Sequence, residues 1–149
     1  MKKFLLLFCF LFVLGCGYQP IFSSKDAMFI ISEINFDKSD KISLKISNGL
    51  NYLKQSKNYS QVFEIQLNSN KIINTSSKDA KGNPSVFQMI INTNIQIYSN
   101  GKILKQKNIS KNFSYKNTAK KFDLTQYEKT IEDNLINSIK EDIILILYN

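Results

Sequence analysis

The chain has 149 residues, 43% hydrophobic and 21% charged, which suits one globular domain and is too short for two ordinary ones. Its formal charge is +8, all 20 basic residues are Lys, and Arg, His and Trp are absent. These absences exclude Ser-His-Asp and Cys-His nucleophile pairs, imidazole metal ligands and the bidentate guanidinium fork, so any anion must be met by Lys as a point charge. The sequence is crowded with Asn, Ile, Lys, Phe and Tyr, the residues of A/T-rich codons, which discounts the net charge as a functional signal.

Met1 to Lys3 form a short basic start, and Phe4 to Leu14 follow as an uncharged apolar run of 11 residues. A membrane-crossing helix needs roughly 20 such residues, so the run fits the core of a removable export leader. It ends in Val13-Leu14-Gly15-Cys16, which resembles the lipobox of bacterial lipoproteins: an aliphatic residue, a small residue, then Cys. That resemblance implies cleavage before Cys16, a diacylglycerol on its sulfur and acylation of the new amino terminus. Several fatty chains, at about 0.8 kcal/mol per buried CH₂, hold far more firmly than one. The rival reading is an ordinary secretory leader with an accidental Cys. Cys9 lies within the leader, so the mature chain is expected to have no disulfide and to depend on its hydrophobic core. Gly17 stands where lipoproteins retained at the inner membrane commonly carry Asp, which implies sorting to the outer membrane. The expected organisation is a leader at 1–15, a lipidated tether at 16–27 and a single α/β domain at 28–149.

From Met28, the apolar even positions Met28, Ile30, Ile34 and Phe36 predict a first strand, although Phe29 and Ile31 blur the alternation. Asp37 to Asp40 supply turn and cap residues. Ile42, Ile46, Leu50 and Leu53 then make one stripe of a helix, with Leu44 off the stripe and Gly49 weakening it. Phe63, Ile65 and Leu67 alternate with polar residues as a second strand, which Ile72 and Ile73 extend, and Lys81-Gly82-Asn83-Pro84 mark a turn. Phe87, Met89, Ile91, Ile95 and Ile97 share one parity, the cleanest alternation in the chain. Asn100-Gly101 suits the positive φ angles of a tight hairpin, so a fourth strand, with Ile103, Ile109, Phe113 and Tyr115 on one parity, should pair antiparallel with the third. A second helix is expected from Asp123 or Thr125, where Thr125 to Glu128 has capping-box spacing, with a stripe through Leu124, Tyr127, Ile131, Leu135, Ile139, Ile143 and Leu147. Ile143 to Tyr148 are apolar all round, which suits deep burial, a terminal strand or a docking surface. The order β-α-β-β-β-α, with one apolar stripe per helix, predicts an α+β two-layer sandwich: a four-stranded, mostly antiparallel sheet with both helices on one face.

The segment Gly15-Cys16-Gly17-Tyr18-Gln19-Pro20-Ile21-Phe22 resembles the start of the lipopolysaccharide-assembly lipoproteins of the LptE family, and the element order, length and long final helix agree with it. The resemblance implies an outer-membrane lipoprotein, exposed to the periplasm, that plugs the barrel protein LptD, assists its assembly and contacts lipopolysaccharide on its way to the outer leaflet. Family members can carry basic residues that meet lipid A phosphates.

Lys105, Lys107 and Lys111 share the parity of Ile103, Ile109 and Phe113 on the fourth strand, and Lys116, Lys120 and Lys121 follow, with no carboxylate between Lys102 and Lys121. This is the strongest local positive field in the chain and the candidate contact for phosphorylated lipid, with Phe113 and Tyr115 packing on apolar parts. The competing reading is a solvated edge strand, since edge Lys discourages sheet-to-sheet aggregation. No spacing of acids suggests catalysis, so no enzyme activity, metal or cofactor beyond the lipid on Cys16 is expected. Export sets the basic charge apart from nucleic acid. An envelope lipoprotein that carries lipids or has a structural role, unrelated to lipopolysaccharide, is the main rival; a carrier needs a cavity, whereas a plug needs a compact body with a polar Asn/Gln/Ser exterior facing a wet lumen.

Overall fold

The computed structural model describes residues 28–55 and 59–149. The leader, Cys16 and the tether lie outside the described residues. The elements are β1 (Phe29–Asn35), α1 (Lys41–Leu50), a 3-10 turn (Asn51–Lys54), β2 (Gln61–Lys78), β3 (Pro84–Ser99), β4 (Lys102–Lys116) and α2 (Lys121–Tyr148). The sheet order is β1-β2-β3-β4, with β1 parallel to β2 and the other pairs antiparallel. The two helices pack on each other and on one face of the sheet, as the order of elements predicts.

β1 buries a different set of residues from the one its even positions suggest. Phe29 and Ile31 are buried, Ile30 is half-buried and Met28 is exposed. The pairing with β2 slips between Ile31 and Glu33, so Ser32 is an extra residue that resets the parity and returns Ile34 to the core. The Ser32 hydroxyl donates to the Phe63 carbonyl at 3.1 Å, which fixes the bulge to β2.

Asp40 caps α1 and ties it to the sheet. One carboxylate oxygen accepts from the Ser43 amide at 2.8 Å and the other from the Ser69 amide of β2 at 2.7 Å. The stripe Ile42, Ile46 and Leu50 is buried, and the 3-10 turn carries Leu53 onto it, while Leu44 stays exposed. Beneath α1, the hydroxyls of Ser43, Ser69 and Thr93 form a chain with separations of 2.8 and 3.0 Å, which satisfies polar groups buried between helix and sheet. At Gly49 the stem of Lys140 crosses from α2, and a Cβ there would stand 2.5 Å from Lys140 Cδ.

β2, β3 and β4 form a long meander. Phe63, Ile65, Leu67, Met89, Ile91, Ile95 and Ile97 are all buried on the helix side. Asp79 closes the first turn by accepting from the Lys81 and Asn83 amides at 2.9 and 2.8 Å, and Gly82 takes φ +82°. Asn100 and Gly101 take φ of 52° and 72°, as a primed two-residue hairpin requires. A slip between Ile97 and Tyr98 then pairs Ile103 with Tyr98, on the uncovered face, so Ile103 does not share the core parity of Ile109 and Tyr115. Phe113 keeps that parity but remains 45% exposed, because the helix leaves the sheet edge open beside it.

α2 begins at Lys121, earlier than the Thr125 capping spacing suggests. Thr125 lies inside the helix, its hydroxyl donating to the Lys121 carbonyl at 3.0 Å, and Lys120 occupies the cap position without a side-chain bond. Leu124, Ile131, Leu135, Ile139, Ile143 and Leu147 are buried as expected, joined by Ile136 and Ile144. Tyr127 is 47% exposed, its ring edge-on to Tyr115 at 6.1 Å. The last turns are helix, not a terminal strand: Ile143, Ile144 and Leu147 are core, and Leu145 is an exposed flank.

Candidate functional site

The six lysines singled out in the sequence fall into two groups, because eleven residues of extended strand separate Lys105 from Lys116 by about 37 Å. Lys105, Lys107 and Lys111 project from the edge strand β4 on the side of α2. The Lys105 ammonium donates to the Ile146 carbonyl at 3.2 Å, closing the last turn of the helix, and Lys111 pairs with Asp142 at 2.8 Å. Both fasten the helix to the sheet edge. Lys107 lies between them, exposed and without an ion pair among the described residues.

Lys116, Lys120 and Lys121 sit at the other end of the sheet, all exposed, with Lys120 at the limit of ion-pair distance from Asp123, 4.0 Å. Strand pairing brings the β2–β3 turn beside them: the Asn117 amide donates to the Ser85 carbonyl at 2.9 Å, and the Asn117 side-chain amide to the Pro84 carbonyl at 2.8 Å. Lys78 and Lys81, on and next to that turn, therefore belong to the same basic tip, although sequence spacing alone did not group them with the others. The signal was there in the Pro and Gly that fold the hairpin back. A concavity of about 390 Å³ opens at this tip, lined by Asp79, Asn83, Pro84, Asn117 and Lys121 among others. Asn117 Oδ1 is buried there without a hydrogen-bond partner. The Asn83 backbone amide and side chain, with the Lys81 amide, hold the Asp79 carboxyl below its ordinary range.

The uncovered face of the sheet is a field of amides and hydroxyls. Gln88 donates to Asn112 at 3.3 Å, Ser110 to Asn92 at 2.7 Å and Asn94 to Asn108, each across the β3–β4 pair. A shallow concavity of about 440 Å³ lies on this face, lined chiefly by Asn68, Asn70, Asn92, Asn94, Asn108 and Ser110. Most of its lining residues carry amides or hydroxyls, Ile109 being the exception, and it is open to solvent, not enclosed.

The acids of α2 serve structure. Glu132 accepts from Lys45 of α1 and Lys71 of β2, both at 2.6 Å, and Asp133 takes a second bond from Lys45 at 2.9 Å. Partial burial pushes the Glu132 carboxyl up, but the two lysines more than offset this and leave it below its ordinary value. Glu128 accepts from the Tyr115 hydroxyl at 2.6 Å; burial, then this bond, push the phenol pKa well up. Among the described residues, no group of three metal-ligating side chains gathers, and no helix is long and apolar enough to cross a membrane.

No protein-family model matches the chain, and no curated protein matches it in sequence. Solved structures do share its fold. A minor lipoprotein from Acinetobacter baumannii superposes with a TM-score of 0.57 at 12% identity, over 78% of this chain and 87% of that one. Lipoprotein B from Nitrosomonas europaea superposes with a TM-score of 0.58 at 8% identity, over 87% and 88%. At such identities the likeness is one of fold.

Proposed function

We propose that this chain is an outer-membrane lipoprotein of the LptE type, held by fatty chains on Cys16 at the periplasmic side, which seats in an LptD-type barrel, supports its assembly and assists passage of lipopolysaccharide. The observation that carries the reading is a lipobox placed ahead of a fold shared with two bacterial lipoproteins. The amide face supports it physically. A barrel lumen is wet and polar, and rows of Asn, Gln and Ser can exchange water for lumen side chains without exposing apolar surface. The lipid-carrier rival gains little from the two concavities described, both of which are shallow and open where a fatty chain needs an enclosed hollow.

In this reading the protein performs no chemistry on lipid; it positions it. Lys116, Lys120 and Lys121 at the tip, with Lys107 on the edge, are the lysines available to phosphorylated sugar, whereas Lys105 and Lys111 are already committed to α2. The test is co-expression with the LptD-type barrel of the same genome and purification in detergent. The two chains are expected to co-purify, and consistent failure to do so overturns the reading. Replacing Lys116, Lys120 and Lys121 by Gln should weaken lipopolysaccharide binding and flatten its dependence on ionic strength; binding unchanged across a salt series returns these lysines to a solvated tip.

A further inference from the structure

One end of the sandwich is made by residues 28–32, 51–55, 59–63, 99–104 and 143–149. Pairing holds them together: Phe29 lies opposite Gln61, Ile103 opposite Tyr98, the Ser60 amide donates to the Met28 carbonyl at 2.8 Å, and the rings of Phe29 and Tyr148 are 5.1 Å apart. More than half of the exposed large hydrophobic side chains among the described residues gather here, including Met28 (69% exposed), Ile103 (56%), Leu104 (55%), Tyr59 (49%), Leu145 (48%) and Val62 (41%). None of the five segments contains Asp or Glu, and Lys54 and Lys102 are exposed at the rim. The exposed Glu33 and Glu64 adjoin this end, with Glu64 opposite Tyr98.

We infer that this end is a foot that beds into the headgroup region of a phospholipid bilayer. Three observations favour lipid over other occupants. Exposed aliphatic side chains alongside Tyr match the layered polarity of a membrane interface, and the exposed Lys54 and Lys102 at the rim suit anionic headgroups. The described chain also begins at this end: only the 11 residues from Gly17 to Ala27 separate the acylation site from Met28, a reach of at most about 40 Å. A body so tethered meets the bilayer at high effective concentration, and it meets it with this end first. The inference rests on the lipid-anchor reading above and adds to it a second contact made by the folded body.

The test uses the full-length gene expressed so that the leader is processed, and the lipidated product reconstituted in vesicles of phosphatidylethanolamine and phosphatidylglycerol. Acylation occupies the Cys16 thiol, so Leu104→Cys provides a single site for an environment-sensitive fluorophore, Ile103→Cys a second, and Asn112→Cys on the amide face a control. At 103 and 104 the label is expected to shift to the blue and to be quenched by spin-labelled lipids severalfold more strongly than at 112. Mass spectrometry of the same sample reads residue 16. An unmodified thiol there overturns the anchor and the foot together. A lipidated Cys16 with labels at 103 and 104 as accessible as the one at 112 overturns the foot alone. Labels at 103 and 104 that become shielded without lipid as protein concentration rises assign the surface to a second copy and also overturn it.

Discussion

The two faces of the sheet are built from the same strands and differ in every property that matters. On the helix side, Ile65, Leu67, Met89, Ile91, Ile95 and Ile97 are each no more than 2% exposed. On the other, Asn68, Asn70, Asn108 and Ser110 stand open and Asn92 and Asn94 are half-buried, with Asn94 bonded sideways to Asn108 and Ser110 to Asn92. Period-two geometry allows this separation: one face supplies the stability, which leaves the other free to match what it meets.

The sharpest way to break that comparison is to truncate one residue on each face. Ile91→Ala is expected to lower the unfolding free energy by about 2–5 kcal/mol in urea denaturation, because it leaves a cavity at a fully buried site. Asp40→Ala should cost about 1–2 kcal/mol, since it removes the cap of α1 and the bond to the Ser69 amide together. Acid titration probes the link between the helices. The Glu132 carboxyl lies below its unfolded value, so its contribution is complete above the ordinary carboxylate range of about 4.3 and is lost as pH falls through the folded value. Glu132→Gln should therefore flatten the acid limb of a stability–pH curve; an unchanged limb means that Lys45 and Lys71 contribute no net stability through it. Asn94→Ala on the open face should change stability by less than about 0.5 kcal/mol, and a loss as large as that at Asp40 would show that the amide rows are structural. Smallest of all, Gly49→Ala is expected to raise the melting temperature slightly. The helix gains up to about 1 kcal/mol in propensity, while only the flexible end of Lys140 must swing aside.

The element order, both helical stripes and the β3 alternation were legible because each depends on local periodicity. What the sequence hid were changes of phase. The extra residue at Ser32 and the slip beside Tyr98 each reverse which side chains face inward, and nothing in the composition around them marks either bulge. Thr125 to Glu128 had the spacing of a cap, but Lys121 already follows a turn that ends the sheet, so the helix starts there. The lysines of β4 were found by charge, yet their duties depend on which of them α2 passes over. Asp142 and the Ile146 carbonyl decide that, and both lie more than thirty residues further along the chain. The basic tip required the hairpin to be folded before Lys78 and Lys81 stood near Lys116.

The contact between Phe29 and Tyr148 has a consequence for how the molecule is made. The first strand finds its lid in the last turn of the last helix, so the pocket around Phe29 stays open until that turn has docked. The core around β1 is therefore completed only when both ends of the chain have met, and deleting the final helical turn should harm β1, the strand farthest from the cut in sequence, before it harms the hairpin of β3 and β4.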